Sequence, residues 1–334
     1  MQLFPTQYST LSASALKDSL EKSYGFHGMN CRLLLRGVSD TYVLEGTESK
    51  YIFKVYRDSH RSLDEIKGEA ELLNKLKEGG AKVSYPIPDL NGEQIQAFNA
   101  AEGVRHGVLF SYANGKNVYD LSDQQLHVVG REMAFNHNIT SGIHLQHERK
   151  PYTIETTLTR PLALIRTAFE QYDYAEGYAY LTEVANQVIR KMESFDTSAF
   201  SVGYCHYDYL PKNFHFDEND RFTLFDFDFA GEGFLANDLL SFQVHFFFHT
   251  IYGKVSQEEA ERQFDVFLKA YQQIRALSAE EIEAIPYLGI MFWIFYLGFA
   301  YENFDDWSNS FFGPRYLRER VATIKRYADM YCQF

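Results

Sequence analysis

A histidine, an aspartate and an asparagine occur within eight residues of one short stretch of the sequence. The stretch reads G-Y-C-H-Y-D-Y-L-P-K-N-F-H-F and contains His206, Asp208 and Asn213. The Asp208 carboxylate is a candidate general base, and the Asn213 amide is a candidate oxygen ligand for a metal ion. Pro211 restricts the backbone between them. The loop therefore offers a base, a metal ligand and a stiffened turn.

A second carboxylate follows this loop at a spacing that suits a hairpin. Asp226 lies thirteen residues after Asn213, and the segment between them is expected to turn at residues 217–220. The hairpin would bring the two side chains together, and their oxygens are ligands of the kind that Mg²⁺ prefers. Upstream, Lys54 lies in the strand pattern Y-I-F-K-V-Y and Glu69 in the helical pattern that follows. A base, two metal ligands and a strand lysine held by a helical glutamate are the parts of a phosphoryl-transfer site.

From about Cys31 to Phe242, the chain resembles the superfamily of aminoglycoside phosphotransferases, choline kinases and homoserine kinases, which are relatives of eukaryotic-type protein kinases. The family loop H-x-D-x-x-P-x-N is matched by His206, Asp208, Pro211 and Asn213. The family metal motif is similar to L-F-D-F-D-F-A-G-E-G, which is followed by N-D-L-L at residues 237–240.

The resemblance implies a role for each motif residue. It implies that Asp208 is the catalytic base, that Asn213 and Asp226 bind Mg²⁺, and that Asp238 is a buried brace for the catalytic loop. His206 is a candidate catalytic residue as well, either as a brace of the loop through hydrogen bonds or in proton transfer. We favour the brace, because Asp208 already fills the role of base.

The resemblance also assigns the nucleotide site. Lys54 is expected to hold the phosphates of ATP, and Glu69 to hold the lysine. The phosphate loop is R-G-V-S-D-T-Y, residues 36–42, in which Ser39 is a further candidate nucleotide ligand. This loop contains a single glycine. The segment V-G-R-E-M-A-F-N-H, residues 129–137, matches the first helix of the family's C-terminal lobe.

Several positions depart from the family or allow two interpretations. Common members have Gly, His and Gly where this chain has Tyr207, Leu210 and Lys212, so acceptor recognition cannot be copied from the antibiotic kinases. Asp228 lies two residues after Asp226 and is either a further metal ligand or a polar residue near solvent.

Two histidines, His245 and His249, are four residues apart and could share a helix face. They are either zinc ligands or residues of the packing or of a substrate pocket.

Composition excludes several classes of protein. The 334 residues include 45 acidic and 32 basic side chains, and a net charge of −13 argues against nucleic acid as a partner. The three cysteines are far apart in sequence and the N-terminus has no signal-peptide pattern, which favours the cytoplasm. The most apolar run, residues 285–301, contains a proline and two glycines and is predicted to be a buried core helix and not a membrane span.

The patterns predict an α+β, two-lobed protein-kinase-like fold. Residues 1–112 are expected to form a nucleotide-binding lobe with an antiparallel sheet and one helix, and residues 113–334 a mainly helical lobe for catalysis and acceptor binding. Residues 31–56 read as two strands, residues 62–77 as a capped amphipathic helix ended by Gly79 and Gly80, and residues 81–89 and 107–112 as further strand pattern.

The predicted function is ATP-dependent transfer of a γ-phosphate to a hydroxyl of a small molecule, with Mg²⁺ as cofactor. Small amino alcohols, amino acids and amino sugars rank first as acceptors. The alternatives are a bacterial Ser/Thr protein kinase of the same superfamily and an inactive nucleotide-binding pseudokinase. Aromatic and acidic residues near the C-terminus suggest an acceptor that carries an amine. These residues are Phe292, Trp293, Tyr296, Tyr301, Glu302, Asp305, Asp306 and Trp307.

Overall fold

The computed structural model describes residues 4–6, 8–304 and 312–334, and it contains two compact units. The first unit comprises the chain up to residue 116 together with residues 144–149 and 215–226. The second comprises residues 117–143, 150–214 and the chain from residue 227 onward. The units are therefore discontinuous in sequence, whereas the predicted division into residues 1–112 and 113–334 is linear.

The first unit is built on a five-stranded antiparallel sheet with the strand order β1-β2-β3-β5-β4. Leu16 and Leu20 of the first helix belong to the same buried cluster as Phe53, Val55 and Leu109 of the sheet. The regular elements are α1 (Ala13–Tyr24), β1 (Asn30–Arg36), β2 (Ser39–Glu45), β3 (Lys50–Tyr56), α2 (Leu63–Glu78), β4 (Ile95–Ala100) and β5 (Gly103–Ser111).

The prediction of two strands between Cys31 and Tyr56 is wrong, because this segment forms β1, β2 and β3. The chain reverses between β1 and β2 at Gly37 and Val38, where the Gly37 N–H donates to the Ser39 carbonyl at 3.1 Å. The run from residue 31 to residue 46 is too long for one typical strand of five or six residues. Its central glycine therefore marks a turn and not a strand interior.

Helix α2 begins and ends within one residue of the predicted helix. The Ser62 hydroxyl accepts the Glu65 N–H, and the Glu65 carboxylate accepts the Ser62 N–H, which together form a capping box. Acidic residues in the first turn and lysines in the last turn complement the helix dipole. The buried face of the helix includes Glu69, which is only 1% exposed.

The prediction of a strand over residues 81–89 is also wrong. This segment makes isolated bridges, Val83 with Leu224 and Pro86 with Phe110. Pro86 and Pro88 cannot donate backbone hydrogen bonds, so a continuous ladder cannot form.

The second unit is mainly helical. Helix α8 (Ala279–Asn303) is its longest helix among the described residues, and its apolar residues are predominantly buried, as predicted. Within the described residues it is the one helix long and apolar enough to cross a membrane, and 67% of its most apolar stretch is buried inside the protein. The elements are α3 (Asp123–Thr140), α4 (Arg160–Gln171), α5 (Ala175–Glu193), β6 (Val202–Cys205), β9 (Gly231–Phe234), α6 (Ala236–Ile251), α7 (Gln257–Gln272), α8 (Ala279–Asn303) and α9 (Pro314–Tyr331).

Two short antiparallel pairs carry the motifs identified in the sequence. Strand β6 pairs with β9, and the loop with His206 and Asp208 leaves the end of β6. The predicted hairpin is confirmed as β7 (Phe214–Phe216) and β8 (Phe222–Leu224). Helix α6 begins two residues after β9 and has Asp238 in its first turn.

Candidate active site

Asp238 fixes the loop that follows β6. Its carboxylate accepts the backbone N–H of His206 at 2.8 Å and that of Tyr207 at 2.7 Å. The ring nitrogen Nε2 of His137, in the last turn of α3, lies 3.0 Å from the same carboxylate. Because Asp238 is 1% exposed, these charge-assisted hydrogen bonds form away from water. Asp238 is therefore the buried brace that the motif predicted.

Tyr207 has a left-handed backbone conformation, with φ of 64°. This conformation costs an L-residue about 1–2 kcal/mol, which explains why glycine suits the position in common family members. Here the side chain compensates by packing, because its ring stacks on Tyr152 with 3.5 Å between ring centroids. The hydrogen bond to Asp238 holds the same residue from the backbone side.

The Asp208 carboxylate, which is 3% exposed, is oriented by its neighbours in the loop. Its Oδ2 accepts a hydrogen bond from Asn213 Nδ2 at 2.9 Å and lies 2.7 Å from Lys212 Nζ. The Asp208 N–H donates to His206 Nδ1 at 3.3 Å. His206 Nδ1 thus acts as an acceptor, which favours the bracing role, while proton transfer by His206 stays a prediction.

The Asn213 side chain is oriented so that its nitrogen faces Asp208. Nδ2 donates to both the backbone carbonyl and the carboxylate of Asp208, at 2.8 and 2.9 Å. The amide oxygen is therefore the end directed away from the base. This is the orientation that an oxygen ligand for a metal requires.

Two residues of this loop region were missed as functional candidates. Asn117 Nδ2 donates to the carbonyls of Pro211, Lys212 and Phe214 at 2.9 to 3.1 Å and so fixes the turn before Asn213. The sequence signal was the polar segment A-N-G-K-N, which predicts only a break between elements. Lys212 pairs with the candidate base, and its signal was a lysine where common family members have glycine.

In the first unit the structure brings together Lys54 and Asp226. Lys54 lies on β3, and its Nζ is 2.7 Å from Asp226 Oδ1. Asp226 arrives there because β8 is bound to the chain after α2, through hydrogen bonds of Leu224 with the backbones of Lys82 and Ser84. The Asp226 side chain is 49% exposed, so it can bind a further group.

The remaining predicted nucleotide ligands are buried in the first unit. Glu69 lies on the inner face of α2, and Ser39 begins β2 directly after the Gly37–Val38 turn. Next to Ser39, the Asp40 carboxylate is 3.1 Å from Arg105 Nη1 in a fully buried ion pair. Binding of nucleotide by Ser39 and Glu69 stays a prediction.

The structure narrows two interpretations that the sequence left open, that of Asp228 and that of the pair His245 and His249. Asp228 is buried, so its interpretation as a residue near solvent is wrong. The ring centroids of His245 and His249 are 4.2 Å apart, and His245 Nε2 lies 3.0 Å from the Tyr119 carbonyl oxygen. These contacts indicate that the two histidines have a packing role. No group of three His, Cys, Asp or Glu side chains suited to a metal occurs among the described residues.

The aromatic residues proposed for the acceptor separate into two groups. Phe292 packs against Tyr207 of the loop and also against Tyr296. Trp293 packs instead against Phe247 and Phe248 in the interior. Glu302 is exposed at the end of α8. Asp305, Asp306 and Trp307 lie outside the described residues.

A family model described as the phosphotransferase enzyme family matches residues 30–277. The chain belongs to this family. It is a phosphotransferase that acts on hydroxyl groups, as the sequence motifs predicted. A protein of Synechocystis sp., sll1119, is 31% identical over 72% of this chain and 66% of its own length, just under two thirds.

Two solved structures support the predicted α+β, protein-kinase-like fold. One is an amicoumacin kinase, hAmiN, in complex with AMP-PNP and Ca²⁺, with a TM-score of 0.72 and 19% identity over 96% of this chain and 94% of that chain. The other is a microcompartment-associated aminopropanol kinase, with a TM-score of 0.74 and 18% identity over 94% of this chain and 95% of that chain. The fold prediction is therefore confirmed.

Proposed function

We propose that the protein is an ATP- and Mg²⁺-dependent kinase that phosphorylates a hydroxyl of a small molecule carrying an amine. The observation that carries this proposal is the buried Asp208 carboxylate, held by Asn213 and Lys212 on a loop that Asp238 braces. Catalysis of phosphoryl transfer depends mainly on positioning and on charge. A carboxylate base that its neighbours hold in one position meets this need for positioning.

Asp208 accepts the proton of the acceptor hydroxyl. The carboxylate is kept in one orientation by the hydrogen bond from Asn213, while the N–H of Asp208 itself is bound to His206. A general base positioned in this way contributes typically about 10² to 10⁴ to the rate. His206 acts through the loop and not on the substrate.

Asn213 and Asp226 supply the oxygen ligands of Mg²⁺. Asn213 fits this role because its nitrogen is used toward Asp208, which leaves the oxygen at the other end of the amide. Asp226 fits because its carboxylate is half exposed while it pairs with Lys54. When bound, the metal neutralises charge on the phosphate groups.

Lys54, Glu69 and Ser39 hold the nucleotide. Lys54 Nζ is mostly buried on β3 and lies 2.7 Å from Asp226, so a cation for the phosphates is fixed beside one of the metal ligands. Glu69 keeps α2 and the lysine in position, and Ser39 contacts the phosphates from the turn that precedes β2.

The residues around the catalytic loop support the proposal that the acceptor carries an amine. Phe292 and Tyr296 of α8 lie near Tyr207, and aromatic faces attract cations. Glu302 lies in the last turn of the same helix, and the net charge of −13 favours cationic substrates in general. One solved structure of similar fold is named for aminopropanol, which carries both an amine and a hydroxyl.

The test is ADP release from Mg-ATP with a panel of amino alcohols, hydroxylated amino acids and amino sugars. Neutral polyols and N-acetylated amino sugars serve as matched controls, and Asp208→Asn gives the background. We expect turnover with acceptors that carry an amine. Turnover with neutral acceptors alone would remove the amine from the proposal, and no turnover above the Asp208→Asn background would refute the kinase itself.

A further inference from the structure

The two oxygens of the Asp208 carboxylate have different surroundings. Oδ2 is occupied by Asn213 and Lys212, at 2.9 and 2.7 Å. Oδ1 is buried and makes no hydrogen bond with a described residue. A buried carboxylate oxygen without a donor is unfavourable by about 1–3 kcal/mol. Oδ1 is thus the atom of the base that is directed toward an external donor.

Helix α8 packs against the catalytic loop at Tyr207, the residue before Asp208. The Tyr207 ring contacts Phe292 and Phe295 of α8, with ring centroids 5.8 and 5.1 Å apart. Tyr296 follows in the same helix and contacts Phe292 at 4.6 Å. The left-handed residue beside the base therefore sets the position of α8 relative to the catalytic loop.

Like Asp208 Oδ1, the hydroxyl of Tyr296 lacks a hydrogen-bond partner among the described residues. It is buried and makes no hydrogen bond of normal geometry with a described residue. The two groups are neighbours, because burial, then the charge of the Asp208 carboxylate and also a side-chain hydrogen-bonding interaction with it raise the pKa of Tyr296. A raised pKa keeps the phenol protonated, so it remains a hydrogen-bond donor at neutral pH.

We propose that Tyr296 is a catalytic residue that binds the acceptor hydroxyl together with Asp208. The acceptor hydroxyl donates to Asp208 Oδ1 and accepts from the Tyr296 phenol, which satisfies both buried groups with one ligand atom. This assignment rests on the proposed function, since it uses Asp208 as the base. It explains why a tyrosine hydroxyl is buried beside the carboxylate of the base.

The contacts with Asp208 and Tyr296 also orient the acceptor oxygen toward the γ-phosphorus. The acceptor oxygen forms a bond to the γ-phosphorus, and the bond from that phosphorus to the bridging oxygen of ADP breaks. The proton of the acceptor hydroxyl moves to Asp208 Oδ1. Tyr296 keeps its own proton throughout and holds one lone pair of the acceptor oxygen, so that another is directed at the phosphorus.

Tyr296→Phe tests the proposal, because it removes the hydroxyl and keeps the ring. We expect kcat/KM for the acceptor to fall about 3- to 10-fold, the value of one hydrogen bond, while the KM for Mg-ATP stays unchanged. The slow release of ADP with water as the acceptor should fall by a similar factor. Tyr287→Phe in the same helix is the matched control, because its hydroxyl donates to the Gln333 carbonyl at 2.8 Å.

The outcomes separate this inference from the proposed function. If Tyr296→Phe and Tyr287→Phe both retain wild-type kcat/KM and wild-type ADP release in water, the role of Tyr296 is refuted and the kinase assignment stands. If a loss in Tyr296→Phe is matched by an equal rise in the KM for Mg-ATP, the effect is structural and the role is again refuted. If the wild type releases no ADP above the Asp208→Asn background, the proposed function fails and this inference fails with it.

Discussion

Asp238→Asn is expected to loosen the catalytic loop and to lower both stability and turnover. The wild-type carboxylate accepts the N–H groups of His206 and Tyr207 on its two oxygens, and His137 is also within hydrogen-bond distance. An asparagine has the same shape but presents one oxygen and one NH₂ group. The NH₂ group would face a backbone N–H, donor against donor.

The magnitude follows from these contacts. One buried backbone N–H loses its acceptor, which costs about 1–3 kcal/mol. The remaining hydrogen bonds lose the help of a charge, which roughly halves their strength. Together we expect a destabilisation of about 2–4 kcal/mol, equivalent to a fall in Tm of about 5–10 °C for a domain of this size. The left-handed backbone at Tyr207 would relax, since Asp238 is the group that binds its N–H.

In Asp238→Asn, the turnover rate should fall by more than the loss of folding stability alone would cause. Asp208 follows Tyr207 directly, and a displacement of a reacting group by about 1 Å can cost about 100-fold in rate. The assay is thermal unfolding of each variant, followed by ADP release at a temperature at which all variants are folded. Asp265→Asn is the control, because its carboxylate pairs with Lys269 on an exposed helix face and such pairs are worth at most about 1 kcal/mol. If Asp238→Asn melts within a degree of the wild type and keeps its kcat, Asp238 does not hold the loop.

Four further predictions follow from the site. Asp208→Asn should lower turnover about 10²- to 10⁴-fold and leave ATP affinity within a few-fold by calorimetry; retention of more than about a tenth of the rate would argue against the base. Asp226→Ala should weaken Mg-ATP binding as well as turnover, and unchanged values of both would move the metal to another ligand. Lys212→Ala should lower kcat less than about 5-fold at low salt and less still in 0.5 M KCl, because a half-exposed pair is screened; a large loss independent of salt would mean that Lys212 contacts a reactant. Burial lowers the pKa of His245 to about 3, so the stability that neutral His245 contributes is present above about pH 6.5 and is lost as the pH falls. Urea unfolding should show that the free energy of unfolding falls by about 2 kcal/mol between pH 7 and pH 5 on account of His245. In His245→Gln this fall should be smaller, and an equal fall would contradict the prediction.

The sequence predicted features that depend on residues close together in the chain. Acidic residues early in α2, lysines in its last turn and the glycines that follow predicted this helix, because all of these signals lie within or next to it. The turn at residues 217–220 specified the hairpin, and its confirmation explains how Asp226 returns to the body of the first unit. The loop motif from His206 to Asn213 predicted a base beside an amide, and the two side chains are hydrogen bonded.

The turn at Gly37 shows where local reasoning failed. A single glycine in an apolar run is compatible with a strand interior or with a reversal, and the sequence alone did not favour the reversal. The reversal is favoured by the sheet, because β2 pairs with β1 on one side and with β3 on the other. Pairing on both sides gives β2 its buried residues, which a hairpin of two strands would leave exposed.

The tertiary structure alone decided which distant side chains come together within each unit. Lys54 and Asp226 are 172 residues apart and meet because β8 binds the chain after α2. Asn117 binds the turn before Asn213 from 94 to 97 residues away. Helix α8, which carries Tyr296, packs on Tyr207 of the loop from more than 80 residues away. Residue type and local spacing determine which groups can do the chemistry, but the orientation of each group depends on packing between elements far apart in the chain, and no local pattern encodes it.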